Sequence, residues 1–265
     1  MLLPPLHGSL NQKNFFIYTA CDSVYFDEFG RSFVNSVLRN TSAGVHIHIY
    51  NPSQLQLDFC LSNSRISHSY EIVTDDLFSK ASNRWNLEPT TEEENLRKIR
   101  TLTAMAKGGD KTISERVLKT YYACARFARL KDLTSVGDKF LALDVDAIVR
   151  SNIPVLSTEH DCYMYKITGR KARILAGGLY SNGTVESKRF IDAYATLLLS
   201  YINDDYLYWS LDQDVLDHIV PNYNIGDLPY TLIDWEMKPS SVVWTAKGLR
   251  KDLEIFISEK KKYNV

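Results

Sequence analysis

The sequence predicts an α/β fold, with a mainly parallel central sheet flanked by helices. Three observations carry this. "NFFIYTACD" (14–22), "FDEFGRSFVNSVLRN" (26–40) and "GVHIHIYNP" (44–52) read in turn as a β-rich apolar run, apolar residues at helical spacing, and an alternating strand stopped by Pro52. The helical stretch "SERVLKTYYACARFARLKDL" (114–133) runs directly into the apolar start of "KFLALDVDAIVRSNIP" (139–154). Strands and helices therefore alternate, as a parallel sheet with covered faces requires. That last strand ends in two carboxylates, Asp144 and Asp146, and in open α/β sheets ligands collect beyond the carboxyl ends of strands.

The remaining elements follow in order. "RISHSYEIVTDD" (65–76) adds a strand. Segment 80–112, with "TTEEENLRKIR" and "AKGGD", is polar and helical with a Gly108–Gly109 break, either a lid over the site or a surface excursion. In the 114–133 helix Ser114 is the expected N-cap, and Val117, Tyr121, Cys124 or Ala125, and Ala128 mark the buried face. After Pro154 come "DCYMYKI" (161–167), "RILAGGLYSNGT" (173–184), the helix "VESKRFIDAYATLLLSYI" (185–202), "YWSLDQDVLDHIV" (208–220) and "SSVVWTAKGLRKD" (240–252). There is no internal repeat, so residues 1–265 read as a single domain with 1–13 and 253–265 as peripheral ends.

Lys and Arg total 31 against 32 for Asp and Glu, which gives no broad basic footprint for nucleic acid. Cysteines 21, 60, 124 and 162 stand alone without CxxC spacing, predicting reduced thiols, no structural zinc and a cytoplasmic setting. "MLLPPLHGSL" lacks a basic region followed by an apolar core, and no apolar run approaches the roughly 20 residues of a bilayer span, so neither a signal peptide nor a transmembrane segment is expected. The tail "SEKKKYNV" reads as a solvated end or as a peripheral contact with an anionic membrane surface.

Asp144 and Asp146 share one face if the strand continues through them, and their repulsion then calls for a cation. Two chemistries use such a pair. In haloacid-dehalogenase-type phosphatases the first Asp is a nucleophile that opens the domain, with Thr or Val four residues on; here Ile148 holds that place and a long stretch precedes the motif. The other is a divalent cation held by hard oxygens and shared with a diphosphate. Arg126, set amid Ala, Cys and Phe in "YYACARFARL", needs an oxygen partner suited to its planar fork, whereas Arg129 reads as a solvated neighbour. His46 and His48 share a strand face and read as sheet histidines rather than a metal pair, since no third ligand is nearby in sequence.

"FLALDVDAIVRSNI" resembles the metal-binding motif of the GT-A glycosyltransferases, in particular glycosyltransferase family 8 and its bacterial and viral relatives. Further segments match in the same order from about residue 14 to 252. The resemblance implies a Rossmann-like nucleotide-diphospho-sugar transferase fold. It also implies hexosyltransferase-like transfer from a UDP-sugar to an acceptor hydroxyl, with retention, using Mn²⁺ or Mg²⁺ on Asp144 and Asp146. In "TACDSVY", Ala20, Asp22 and Tyr25 match the family's Ala-x-Asp-x-x-Tyr, which holds uracil and ribose. Arg126 matches an Arg that contacts the donor. Gly177 and Gly178 of "LAGGLYSNGT" match a small-residue turn lining the sugar pocket, with Ala176 where many relatives carry Asn or Ser. In "LDQDVLDHI", Asp212 is implied to bind sugar hydroxyls and Gln213 to lie near the anomeric carbon, with Asp214 assigned to capping or helix support. Gly248 and Lys251 of "TAKGLRK" match the family's His-x-x-Gly-x-x-Lys, whose Lys meets the diphosphate, while Thr245 replaces the His that completes the metal site. Lys247 and Arg250 are additional phosphate candidates.

Two alternatives stay open: a nucleotidyltransferase acting on sugar phosphates, against which "ACDSVYFDEFGR" lacks a Gly-rich basic loop, and a catalytically weak sugar-nucleotide binding protein, in view of Thr245 and Ala176. The acceptor, a glycan or other hydroxyl compound, is not specified, because it would meet variable segments such as 80–112 and 221–240.

Overall fold

The structure, a computed structural model, describes residues 3–12, 15–74, 76–85, 88–108, 112–167, 173–246 and 248–264. Lys247 and the second glycine of the Gly108–Gly109 break lie outside them. A short strand β1 (His7–Gly8) precedes β2 (Phe15–Asp22), the strand that leads to the site. At its end the Asp22 carboxylate accepts the Tyr25 backbone N–H at 2.7 Å and starts the single turn α1 (Ser23–Tyr25). A π-helical stretch, Phe26–Gly30, leads into α2 (Arg31–Asn40), which buries Phe33, Val34 and Val37. Then come β3 (Gly44–Tyr50), α3 (Gln54–Leu61) with a complete Ser53–Gln56 capping box, and β4 (Ile66–Glu71). The polar segment forms α4 (Asp76–Arg84) and α5 (Glu92–Gly108). The long α6 (Ile113–Leu133) returns the chain to β5 (Lys139–Leu143), followed by β6 (Ala147–Val149), β7 (Cys162–Ile167) and β8 (Arg173–Ser181). The chain closes with α7 (Val185–Asn203), α8 (Leu211–Ile219), β9 (Ile225–Asp227), β10 (Ile233–Asp234), β11 (Val243–Thr245) and α9 (Glu254–Lys261).

The main sheet runs β1-β4-β3-β2-β5-β8-β7-β9, and β4, β3, β2 and β5 are mutually parallel as the strand–helix alternation predicts. β8 enters antiparallel to β5, and it is this reversal that makes the second half mixed. The period-2 alternation of each strand separates two cores. Ile17 and Cys21 of β2 and Val45, Ile47 and Ile49 of β3 face α2 and α9, whereas Phe16, Tyr18 and Tyr50 face α6, α7 and α8. A small second sheet, β10-β11-β6, lies where the chain leaves β5. The C-terminal segment packs against α2: Phe256 and Tyr263 are buried, and Asn35 donates to the Tyr263 carbonyl at 2.9 Å. Two of the tail lysines are engaged there, Lys260 with the Glu28 carbonyl and Lys262 with Glu259. All four cysteines are buried free thiols. Among the described residues no helix is long and apolar enough to cross a membrane.

Several local expectations need correction. The N-cap of α6 is Thr112, whose Oγ1 accepts the Glu115 N–H at 3.1 Å, two residues before Ser114. Asp144 and Asp146 are not in a strand: β5 stops at Leu143 and the pair occupies a turn before β6, with Val145 buried between them. The Gly177–Gly178 pair is not a turn but lies within β8. Asp214 does not cap α8; Ser210, at φ 67°, precedes that helix and no side chain caps it. Arg129 is not solvated but 4% exposed, ion-paired with the fully buried Glu71, which also accepts from the Tyr121 hydroxyl at 2.5 Å. His46 and His48 are fully buried and hydrogen-bonded to Ser67 and Ser69 at 2.8 to 2.9 Å, as sheet histidines should be.

Candidate active site

A cavity of about 640 Å³ opens beyond the carboxyl ends of β2 and β5. The fold brings its lining from six distant stretches. Ala20, Asp22 and Tyr25 come from the end of β2 and α1; Arg126 from α6; Asp144 and Asp146 from the turn; Ala176 and Gly177 from β8; Asp212 and Gln213 from α8. Thr245 from the end of β11, and Gly248 and Lys251 from the segment after it, complete the lining. Of the described site residues expected from sequence, Gly178 and the additional phosphate candidate Arg250 are absent from this lining. A Cβ built at Gly178 would lie 2.6 Å from Ile233 Cδ1, whereas one at Gly177 would lie 2.7 Å from Asp144 Oδ2. Neighbouring strand residues face opposite sides, so the first glycine makes room for the carboxylate and the second for the core.

Two cations organise the carboxylates. Arg126 pairs with Asp144, reaches Asp212 at 3.7 Å and donates to the Ala176 carbonyl at 3.2 Å. Lys251 pairs with Asp146 at 2.7 Å, donates to the Tyr25 hydroxyl at 3.1 Å and lies 4.6 Å from the centre of the Tyr25 ring. Gly248, at φ +63°, provides the left-handed residue that starts the turn carrying Lys251 inward. Burial and the nearby Asp144 push the Asp146 carboxyl up to about 6 despite Lys251, and the Lys251 ammonium is held above its usual range, chiefly by Asp146, against the opposing effect of burial. The Arg126 guanidinium is likewise raised by Asp144 and Asp212 against burial.

Thr245 lies beside this pair because β11 runs antiparallel to β6, with Thr245 opposite Ala147, and the Ala246 N–H donates to the Asp146 carbonyl at 3.1 Å. Asp22 already uses one oxygen to cap α1, so a ligand would share that carboxylate with the backbone. Asp214 sits outside the lining, paired with Arg173 and, at 3.3 Å, with Arg100. Among the described residues no group of three or more His, Cys, Asp or Glu side chains gathers as a metal site. Several lining residues were not expected from sequence: Lys107, Arg116 and Lys119, Trp209, whose ring lies under the Arg116 guanidinium, and Tyr165 and Trp235. Arg116 and Lys119 were within reach of sequence, because 116, 119, 123 and 126 recur at helical spacing on the face of α6 that carries Arg126.

A mixed sheet, a carboxylate turn at the end of a parallel strand and a second small sheet behind that turn define a GT-A architecture. Solved glycosyltransferases share it. The galactosyltransferase LgtC, solved with donor and acceptor sugar analogues, superposes with a TM-score of 0.53 at 13% identity, covering 94% of this chain and 96% of that one. An active-site glutamine-to-glutamate variant of LgtC gives 0.51 at 13% identity over the same shares. Apo GlyE of Streptococcus pneumoniae TIGR4 gives 0.53 at 12% identity, over 94% of this chain and 60% of GlyE. No family model and no curated protein matches the sequence.

Proposed function

We propose that this protein is a glycosyltransferase that moves a hexose from a UDP-sugar to an acceptor hydroxyl with retention of configuration, residues 1–265 acting as one domain in a cytoplasmic setting. The observation that carries the reading is the meeting, in one GT-A cavity, of the Asp144/Asp146 turn, its two cations and the Asp212–Gln213 segment. Tyr25 offers a ring face to the base, and the remaining oxygen of Asp22 an acceptor to a base or ribose donor. Lys251 and Arg126 are mobile or forked cations near the turn, suited to the diphosphate and to the sugar hydroxyls respectively.

The turn fits a divalent metal in part. Two carboxylates and the Thr245 hydroxyl are hard oxygen donors, and the Asp146 carboxyl is raised by desolvation and, after it, by the neighbouring Asp144, both of which a bound cation would offset. Three ligands fall short of the six or more such ions take, so water and diphosphate oxygens would complete the sphere. Bound there, Mn²⁺ or Mg²⁺ would supply charge stabilisation of the departing diphosphate. The bond from the anomeric carbon to the diphosphate breaks as the acceptor oxygen bonds to that carbon. The departing diphosphate takes the electron pair, and the acceptor's proton passes to its oxygen.

Inversion would need a carboxylate base free to receive that proton. Asp212 faces Arg126 and accepts the Gln213 N–H at 3.0 Å, and Asp214 is held outside the cavity by Arg173 and Arg100, which favours retention with Gln213 at the reacting face. The nucleotidyltransferase alternative loses support because residues 22–30 form helical turns, the first of them capped by Asp22, rather than a phosphate loop.

The test is UDP release from a panel of UDP-sugars with Mn²⁺. Release from one or a few sugars, lost in EDTA, is expected. Tight UDP binding without release would favour the binding-protein alternative, and neither binding nor release would contradict the reading.

A further inference from the structure

Lys251 stands where the carboxylate turn would receive a cation. Its ammonium is 2.7 Å from Asp146 Oδ2, with only 20% of the lysine side chain and 14% of the aspartate side chain exposed. The same nitrogen donates to the Tyr25 hydroxyl at 3.1 Å, and it lies 4.6 Å from the centre of the Tyr25 ring and 5.0 Å from that of Phe29. A hydroxyl and two aromatic rings therefore steady the charge at this carboxylate. An ammonium and a divalent cation on one carboxylate repel each other, and in a partly buried pair water and salt screen that repulsion poorly.

The two cations of the turn differ in how readily they leave. Arg126 projects from the long α6 and is fixed by Asp144, by Asp212 at 3.7 Å and by the Ala176 carbonyl at 3.2 Å. Its planar fork has to break several contacts to move. Lys251 rises instead from a five-residue 3₁₀ turn, Gly248–Asp252, that buries none of its residues, and Leu249 beside it is 86% exposed. A flexible four-carbon stem lets its ammonium shift while the backbone stays in place. Asp146 is thus paired with the cation that is free to exchange, and a diphosphate is an anion to which that cation can go.

Resting on the glycosyltransferase reading, we propose that Lys251 is the resident counter-ion of Asp146 in the empty site, and that it exchanges this carboxylate for the donor's diphosphate when a divalent cation is bound. The exchange makes the site select the metal–nucleotide complex over free metal. When the cation arrives alone, Lys251 must give up Asp146 for water. When it arrives with a nucleotide diphosphate, Lys251 gains a new partner, and by linkage nucleotide affinity gains as much from the metal as metal affinity gains from the nucleotide.

Calorimetric titration of Mn²⁺ into the full chain, first without nucleotide and then with saturating UDP, tests the exchange on the unmodified protein, Lys251→Met and Lys251→Arg. Without nucleotide, Lys251→Met should bind Mn²⁺ roughly fivefold tighter than the unmodified protein, the upper end of what an ion pair near a surface contributes. Lys251→Arg keeps the charge and should bind Mn²⁺ as weakly as the unmodified protein does. Saturating UDP should close the gap between Lys251→Met and the unmodified protein. Unchanged or weaker Mn²⁺ binding by Lys251→Met overturns the proposal, because the ammonium then only supports the turn. Equal tightening in Lys251→Arg, a gap that survives saturating UDP, or no Mn²⁺ binding by any form also overturns it. Failure of UDP to bind the unmodified protein with Mn²⁺ present removes the glycosyltransferase reading, and this proposal with it, whereas a failed exchange with UDP bound leaves that reading standing.

Discussion

Asp146 concentrates the tension of the site: it is half-buried beside a second carboxylate, and Lys251 only partly offsets the cost. Its carboxyl rises to about 6 in the folded protein against 3.8 in the open chain. A raised carboxyl favours the protonated native form, so the penalty is absent below pH 4, grows between about pH 4 and 6, and is complete above. Asp146→Asn should accordingly stabilise the metal-free protein at pH 8, by up to roughly 3 kcal/mol, and have little effect at pH 4. Thermal unfolding in EDTA at the two pH values checks this; a variant less stable at pH 8 would mean that the Lys251 pair outweighs the repulsion. Tyr25 raises a separate question, since its ring is 37% exposed and carries Lys251 on one face. Tyr25→Ala should weaken UDP binding by roughly 1 to 2 kcal/mol, the scale of a base–aromatic contact. Unchanged affinity with a lowered Tm would instead assign the ring to packing.

Within single elements, the two glycines of β8 do different things. Gly177→Ala presses a methyl against the Asp144 carboxylate and should cut turnover sharply with modest loss of stability. Gly178→Ala presses it against Ile233 and Leu228, and should cost on the order of 1 to 3 kcal/mol of stability while the folded fraction keeps its UDP affinity. Equal effects of the two on both readouts would contradict the facing assigned here. The β3–β4 ladder makes a different prediction. Burial holds the His46 imidazole down at about 3, with His48 and His68 adding to the effect. The unfolded chain takes up a proton near 6.5 and the native one does not, so stability is full above about pH 6.5 and falls as pH drops toward 3. His46→Gln should flatten the stability–pH slope in that window, whatever it costs in absolute Tm.

The helix boundaries teach a related lesson. Thr112-x-x-Glu115 carries the pattern of an N-cap followed at N3 by Glu, so the true start of α6 was readable from sequence. The burial of Arg129 was not, because its partner Glu71 lies 58 positions away and only the sheet brings them together. The turn at Asp144 was half readable: the acidic pair announced a site, but an apolar run entering it looked like a strand continuing through it.

At the scale of the molecule, the alternation of period 2 and period 3.6 through residue 50 and again from 113 to 143 was enough for the parallel half of the sheet. The antiparallel entry of β8 and the small β10-β11-β6 sheet depend on long-range pairing that periodicity does not encode. That small sheet matters for function, since it carries Thr245 to the carboxylate turn and leaves Lys251 one turn beyond it. On the function proposed above, this turn and its cations form a metal-assisted nucleotide-diphosphate site. Titration calorimetry of UDP into the protein, with Mn²⁺ and with EDTA, tests it most directly, repeated on Asp144→Asn. UDP should bind tighter with Mn²⁺, by a factor that Mn²⁺ affinity gains in return when UDP is present, and Asp144→Asn should remove most of that difference. UDP that fails to bind, or binds equally with Mn²⁺ and with EDTA and equally to Asp144→Asn, would contradict the claim.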